Sequence, residues 1–171
     1  MSHSGLNPYL TLTVAQILLR NHDARYADLV RSLEKIASPT GQWPEAIHPQ
    51  TWGGCMGDGQ HVWAAAEWLF MIRNCFVREE PGKLVLCSGV LPKWYAGDGE
   101  ISFGKPPTPY GLIQIFLEQK GEIIRVRWEA EWRGDPPEIE VCVPGYLPMH
   151  AAKEESSVEL FLKKQEVEGR L

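Results

Sequence analysis

The residue types best suited to chemistry crowd into one stretch, WPEAIHPQTWGGCMGDGQHVW, residues 43 to 63. Glu45 sits between Trp43 and His48, and Pro44 and Pro49 stiffen the segment. Trp52, Asp58, His61 and Trp63 follow. A carboxylate held among indole rings is what sugar chemistry needs. The rings stack on the apolar side of a pyranose, and carboxylates bond its hydroxyls. One carboxylate can serve as general base on water or as nucleophile. Gly53, Gly54, Gly57 and Gly59 let the backbone approach a ligand closely or take up positive φ.

Each of these residues also has a purely structural use. Glu45 in a short turn can be a solvated surface carboxylate. His61, early in an apolar helix, can be a satisfied core histidine, and Asp58 can be a helix N-cap. His48, His61 and Cys55 match no metal-ligand spacing, so no metal is expected. GGCMGDG could cradle an anion at a helix start, but it does not follow a strand, and a dinucleotide reading is weak. No Gly-x-Ser-x-Gly nucleophile motif occurs, and nothing implies a cofactor.

The elements that must position this stretch differ in period on its two sides. On the N-terminal side, Asn7 as N-cap and Pro8 in the first turn open one helix. Tyr26, Leu29, Val30, Leu33, Ile36 and Ala37 recur at helical spacing in a second, which Pro39 and Gly41 stop. A long third helix is expected from Asp58 through residues 59 to 80. Between Val62 and Ile72 only Glu67 is polar, so this helix should be buried on nearly all sides. Beyond it the period becomes 2. Ile113, Ile115 and Leu117 alternate with Gln114, Phe116 and Glu118. After a turn at QKGE, Ile124, Val126, Trp128, Ala130 and Trp132 alternate with charged residues, which makes a long antiparallel hairpin with one wet face. Trp128 and Trp132 are core on this reading. Ile139, Val141 and Val143 continue the alternation. The fold class expected is α+β: a helical segment over 1–80, then a small antiparallel β-sandwich-like domain over 81–148. A charged tail over 149–171 is open between strand and helix.

The chain has 171 residues, 44% hydrophobic and 23% charged, with a formal net charge of −5. That is ordinary for a soluble globular protein, and no basic stripe exists to neutralise phosphates, which argues against nucleic acid. No signal peptide or membrane span is legible, so a cytoplasmic location is expected. The four cysteines lack CxxC spacing and read as reduced thiols, mostly buried.

WPEAIHPQTWGGCMGDGQHVWAAAEWLFMIRN, followed by REE and LVLCSGVLPKWY, resembles the end of an (α/α)6 six-hairpin glycosidase with its trailing β domain. The plan is that of glucoamylases and of related α-L-rhamnosidase-like enzymes. The resemblance spans residues 40 to 145, and on it the helical segment is part of an (α/α)6 barrel. It implies that Glu45, in the Pro-Glu pair before the Gly-rich loop, is the catalytic base. It also implies that Trp43, His48, Trp52, Asp58, His61 and Trp63 line a sugar subsite.

The departure from that family is one of size. Such enzymes need a second carboxylate about 5 to 10 Å from the first, placed by the family in an earlier hairpin that is missing here. Twelve helices need about 200 residues before any β domain. The expectation is therefore a glycoside hydrolase-like chain, incomplete alone, whose partner is an upstream glycosidase polypeptide or a second copy. The alternative is a non-catalytic module that binds carbohydrate or protein, or a self-associating remnant.

Overall fold

The computed structural model describes residues 5–57, 59–97 and 99–163. It is a mixed α+β fold with four helices and three sheets of mostly antiparallel strands among those residues. The chain divides into two compact units, Met1–Asn74 and Cys75–Leu171.

The first unit begins with α1, Pro8–Arg20, and α2, Tyr26–Lys35. Asn7 takes the N-cap position with extended dihedrals, but its side chain makes no capping bond. Its Oδ1 is buried without a partner among the described residues. The turn between the helices is a Schellman motif. His22 lies in the left-handed region at φ 55°; its N–H donates to the Leu19 carbonyl, and the Asp23 N–H donates to that of Leu18. That satisfies carbonyls the end of α1 would otherwise orphan. A two-stranded ribbon follows, β1 Ala46–Ile47 against β2 Gly54–Met56, and Leu6 bridges the outer side of Ile47. The third helix, α3, runs Val62–Phe76.

Two features of α3 correct the sequence reading. It starts at Val62 rather than at Asp58, which lies outside the described residues. It ends at Phe76, because Val77–Glu80 leaves the helix as strand β3 and pairs with β4, Lys83–Leu86, around Gly82 at φ 79°. Nor is α3 buried on nearly all sides: Val62 is 80% exposed and Leu69 70%, while Ala64 and Met71 are fully buried. The uniform hydrophobicity of the helix hides a real division into faces.

The second unit carries a short helix, α4, Pro92–Tyr95, and strands β5 Ile101–Phe103 and β6 Pro107–Thr108. Next come β7 Gly111–Lys120, β8 Ile123–Trp132 and β9 Glu138–Val141. The last are β10 Met149–Ala151 and β11 Ser157–Phe161. One sheet has the order β10-β9-β4-β3, with β4 and β9 parallel; the other has the order β11-β8-β7-β5, with β6 also on β7. The β7–β8 hairpin pairs Lys120 with Ile123 across Gly121 and Glu122. Its inward side chains, Ile113, Ile115, Leu117, Ile124, Val126 and Trp128, are buried as the alternation requires. Residues 149–163 are not a tail. Val158 and Leu160 are buried on β11, which completes the larger sheet along β8, and β10 completes the smaller one.

Candidate functional site

Trp43 organises the first unit from inside. Its ring is 4% exposed, and its Nε1–H donates to the Leu33 carbonyl at 2.9 Å. The Leu33 carbonyl, in the last turn of α2, thus accepts the indole N–H as well as the Ile36 N–H. The ring also packs against Trp68 of α3 at 5.1 Å, in a cluster with Ile47 and Ala64. The Trp43 carbonyl accepts the His61 N–H at 2.9 Å, which ties the loop to the head of α3. Trp43 therefore serves the core, with the edge of its residue at a depression of about 200 Å³ shared with Gln42, Gln60 and His61.

Glu45 is half-buried where the chain enters β1. Gly57 lies against it: a Cβ added to Gly57 would stand 3.0 Å from the Glu45 Cβ and 3.2 Å from its nitrogen, and Gly57 has φ 71°. Both the close approach and the left-handed backbone demand glycine here. The Gly-rich loop thus folds directly over the segment that carries the carboxylate.

His48 builds the end of the ribbon. Its Nδ1 accepts the N–H groups of Gln50 and Thr51 at 3.2 and 3.3 Å, so a neutral ring carries its proton on Nε2. Its backbone N–H donates to the Gly53 carbonyl, and its carbonyl accepts the Trp52 N–H, each at 2.8 Å. This closed turn holds Trp52 at φ 59° with 61% of its surface exposed. A bulky aromatic residue in the left-handed region costs about 1–3 kcal/mol, here without full burial of the ring in return. Trp52 borders a second depression, about 410 Å³, with Lys35, Ile36 and Ala37.

His61 and Trp63 gather around a residue that sequence reasoning passed over, Tyr9 of α1. The Tyr9 ring is 4.5 Å from Trp63 and 5.3 Å from His61. The His61 Nδ1 is buried and has no partner among the described residues, while the His61 carbonyl accepts the Ala65 N–H as the first helical bond of α3. The Trp63 Nε1–H donates to Glu67 at 3.2 Å. The signal for Glu67 was present, since it is the one polar residue in the apolar run; that for Tyr9 was not, because only the packing of α1 on α3 brings it there. Among the described residues no three His, Cys, Asp or Glu side chains gather as a metal ion would need. No helix among them is long and apolar enough to cross a membrane. Comparison with protein-family models, with curated proteins and with solved structures gives no match.

Proposed function

We propose that this chain is a carbohydrate-active protein of the glycoside hydrolase kind, with Glu45 as general base. The helical unit is read as the last hairpins of an (α/α)6 array and the β unit as its trailing β-sandwich-like domain. The observation that carries the reading is Trp52. A large apolar ring, mostly exposed on left-handed backbone at the end of the ribbon that Glu45 enters, is more than the turn itself needs. It is a platform for the apolar face of a sugar, and Trp63, backed by Tyr9, is a second exposed ring. In the reaction Glu45 takes a proton from water as its oxygen attacks the anomeric carbon. The glycosidic bond breaks, and a general acid from a separate polypeptide protonates the leaving oxygen. The protein acts in the cytoplasm, with no cofactor.

The test uses Trp52→Gly, followed by calorimetric titration with maltotriose and with an α-L-rhamnoside. Relief of the left-handed strain raises stability, while loss of the ring weakens sugar binding about tenfold, equivalent to about 1.4 kcal/mol. A variant that is more stable and still binds as well as the parent overturns the platform. Glu45→Gln, assayed with the acid-bearing partner, abolishes turnover and leaves sugar affinity within about twofold; retained turnover removes Glu45 from the chemistry.

A further inference from the structure

Helices α1 and α3 run side by side in the same direction. Tyr9 packs against Trp63 at one end, the rings tilted by 30°. Further along, the Gln16 amide donates to Glu67 at 2.6 Å and accepts from the Asn74 amide at 2.7 Å. This seam separates two sides. On the inner side Leu12, Ala15 and Leu19 of α1 and Ala64 and Met71 of α3 are buried. On the outer side α1 exposes Leu10 at 50%, Val14 at 49% and Ile17 at 55%. At about 100° per residue these three fall in one arc of about 60°. On α3, Val62, Leu69 and Phe70 fall in an arc of about 100°, with Phe70 56% exposed. In both helices the seam lies between the buried arc and the exposed one, so the two exposed arcs join into a single face.

We infer that this two-helix face binds a second copy of the same chain. The first argument is area. Taking about 150–250 Å² for a fully exposed large apolar residue, the figure for aromatic rings, the six residues above and Trp63, 56% exposed, present about 600–1,000 Å². A stable interface buries about 800 Å² per partner, so the face is large enough for a dimer by itself. It also exceeds the few hundred Å² that a monomer ordinarily leaves exposed in one apolar patch. The second argument is shape. Half-buried Ala66 lies near the middle of the exposed arc of α3, with Trp63 one turn before it and Phe70 one turn after. A two-fold axis at Ala66 lets two α3 helices approach antiparallel, Trp63 of each meeting Phe70 of the other, which is the self-complementarity an isologous contact requires. The third is charge. Two charged side chains lie along the seam and the α3 arc: Glu67 accepts hydrogen bonds from Gln16 and Trp63, and half-buried Arg73, toward the C-terminal end of the arc, donates to Asn74, so two such faces meet without a row of like charges.

The inference uses Trp63, which the sugar reading counts as a second ring, but neither Trp52 nor Glu45, so loss of sugar binding and loss of dimerisation are separate outcomes. Sedimentation velocity on the full chain is expected to give the mass of two chains with a Kd below about 10 µM. Leu69→Glu and Val14→Glu, both at exposed positions and outside the sugar-binding loop, raise that Kd at least about 100-fold with unchanged circular dichroism. In a Cys55→Ser background, Ala66→Cys forms a disulfide-linked dimer under mild oxidation. A monomer at about 100 µM, or a dimer indifferent to both glutamates, overturns the proposal.

Discussion

At the scale of single residues, the chain separates groups by what burial does to them. Cys75 and Cys87 are fully buried, and desolvation raises both thiols, that of Cys75 to about 12. Cys142, half-buried with its Sγ on the Glu140 carboxylate at 3.3 Å, is also raised to about 12, first by desolvation and then by that carboxylate. Cys55 is exposed. The nucleophile toward a disulfide reagent is the thiolate. Titration with an aromatic disulfide at pH 8 should therefore show one fast thiol, Cys55, with the other three released only on unfolding; Cys55→Ser removes the fast phase. The sequence showed that these thiols are not arranged for metal or CxxC chemistry. It indicated that most of them are buried, but neither which one is exposed nor how acidic each is, since both depend on neighbours far along the chain.

At the scale of elements, two backbone positions carry opposite predictions. His22 is a non-glycine residue at the left-handed position of the Schellman turn after α1, where glycine carries no Cβ penalty. His22→Gly should stabilise the first unit by about 0.5–1 kcal/mol, seen as a higher urea midpoint with the slope unchanged. Gly111, at φ 143°, opens β7 so close to β8 that a Cβ would stand 2.1 Å from the Glu131 carbonyl oxygen. Since that neighbour is ladder backbone and cannot turn aside, Gly111→Ala should cost about 2–4 kcal/mol, measured by the same denaturation. A cost below about 0.5 kcal/mol would mean that the hairpin opens there without loss. The hairpin itself was plain from period 2 and a Gly turn. The need for Gly111 was invisible, because the contact that enforces it is a pairing across the sheet with Trp132.

At the scale of the whole molecule, the balance is a net charge of −5 and a sequence pI near 5.6 against an exposed apolar face. Near its pI the charge that keeps copies apart vanishes while the face remains. Solubility should therefore pass through a minimum close to pH 5.6, followed by turbidity at fixed protein concentration. Leu69→Glu should shallow that minimum more than its small change in charge accounts for. A minimum of equal depth in the variant would assign the precipitation to charge alone.

The sequence by itself determined the α+β order, the helical stripe of α2, the alternation of β7, β8 and β9, and the place where aromatic rings and a carboxylate collect. These are periodic or local properties, set by side-chain spacing and by glycine and proline. Only the tertiary structure decided that Trp43 is spent on the core while Trp52 is held out in solvent. The types are identical, and the difference is a carbonyl of α2 within reach of one indole and a closed turn under the other. It also decided that α3 stops at Phe76 in favour of a ladder with β4, and that residues 157–161 become an edge strand. The faces of α3 were likewise settled by packing, because a run of apolar residues has no period until a neighbouring helix covers one side of it.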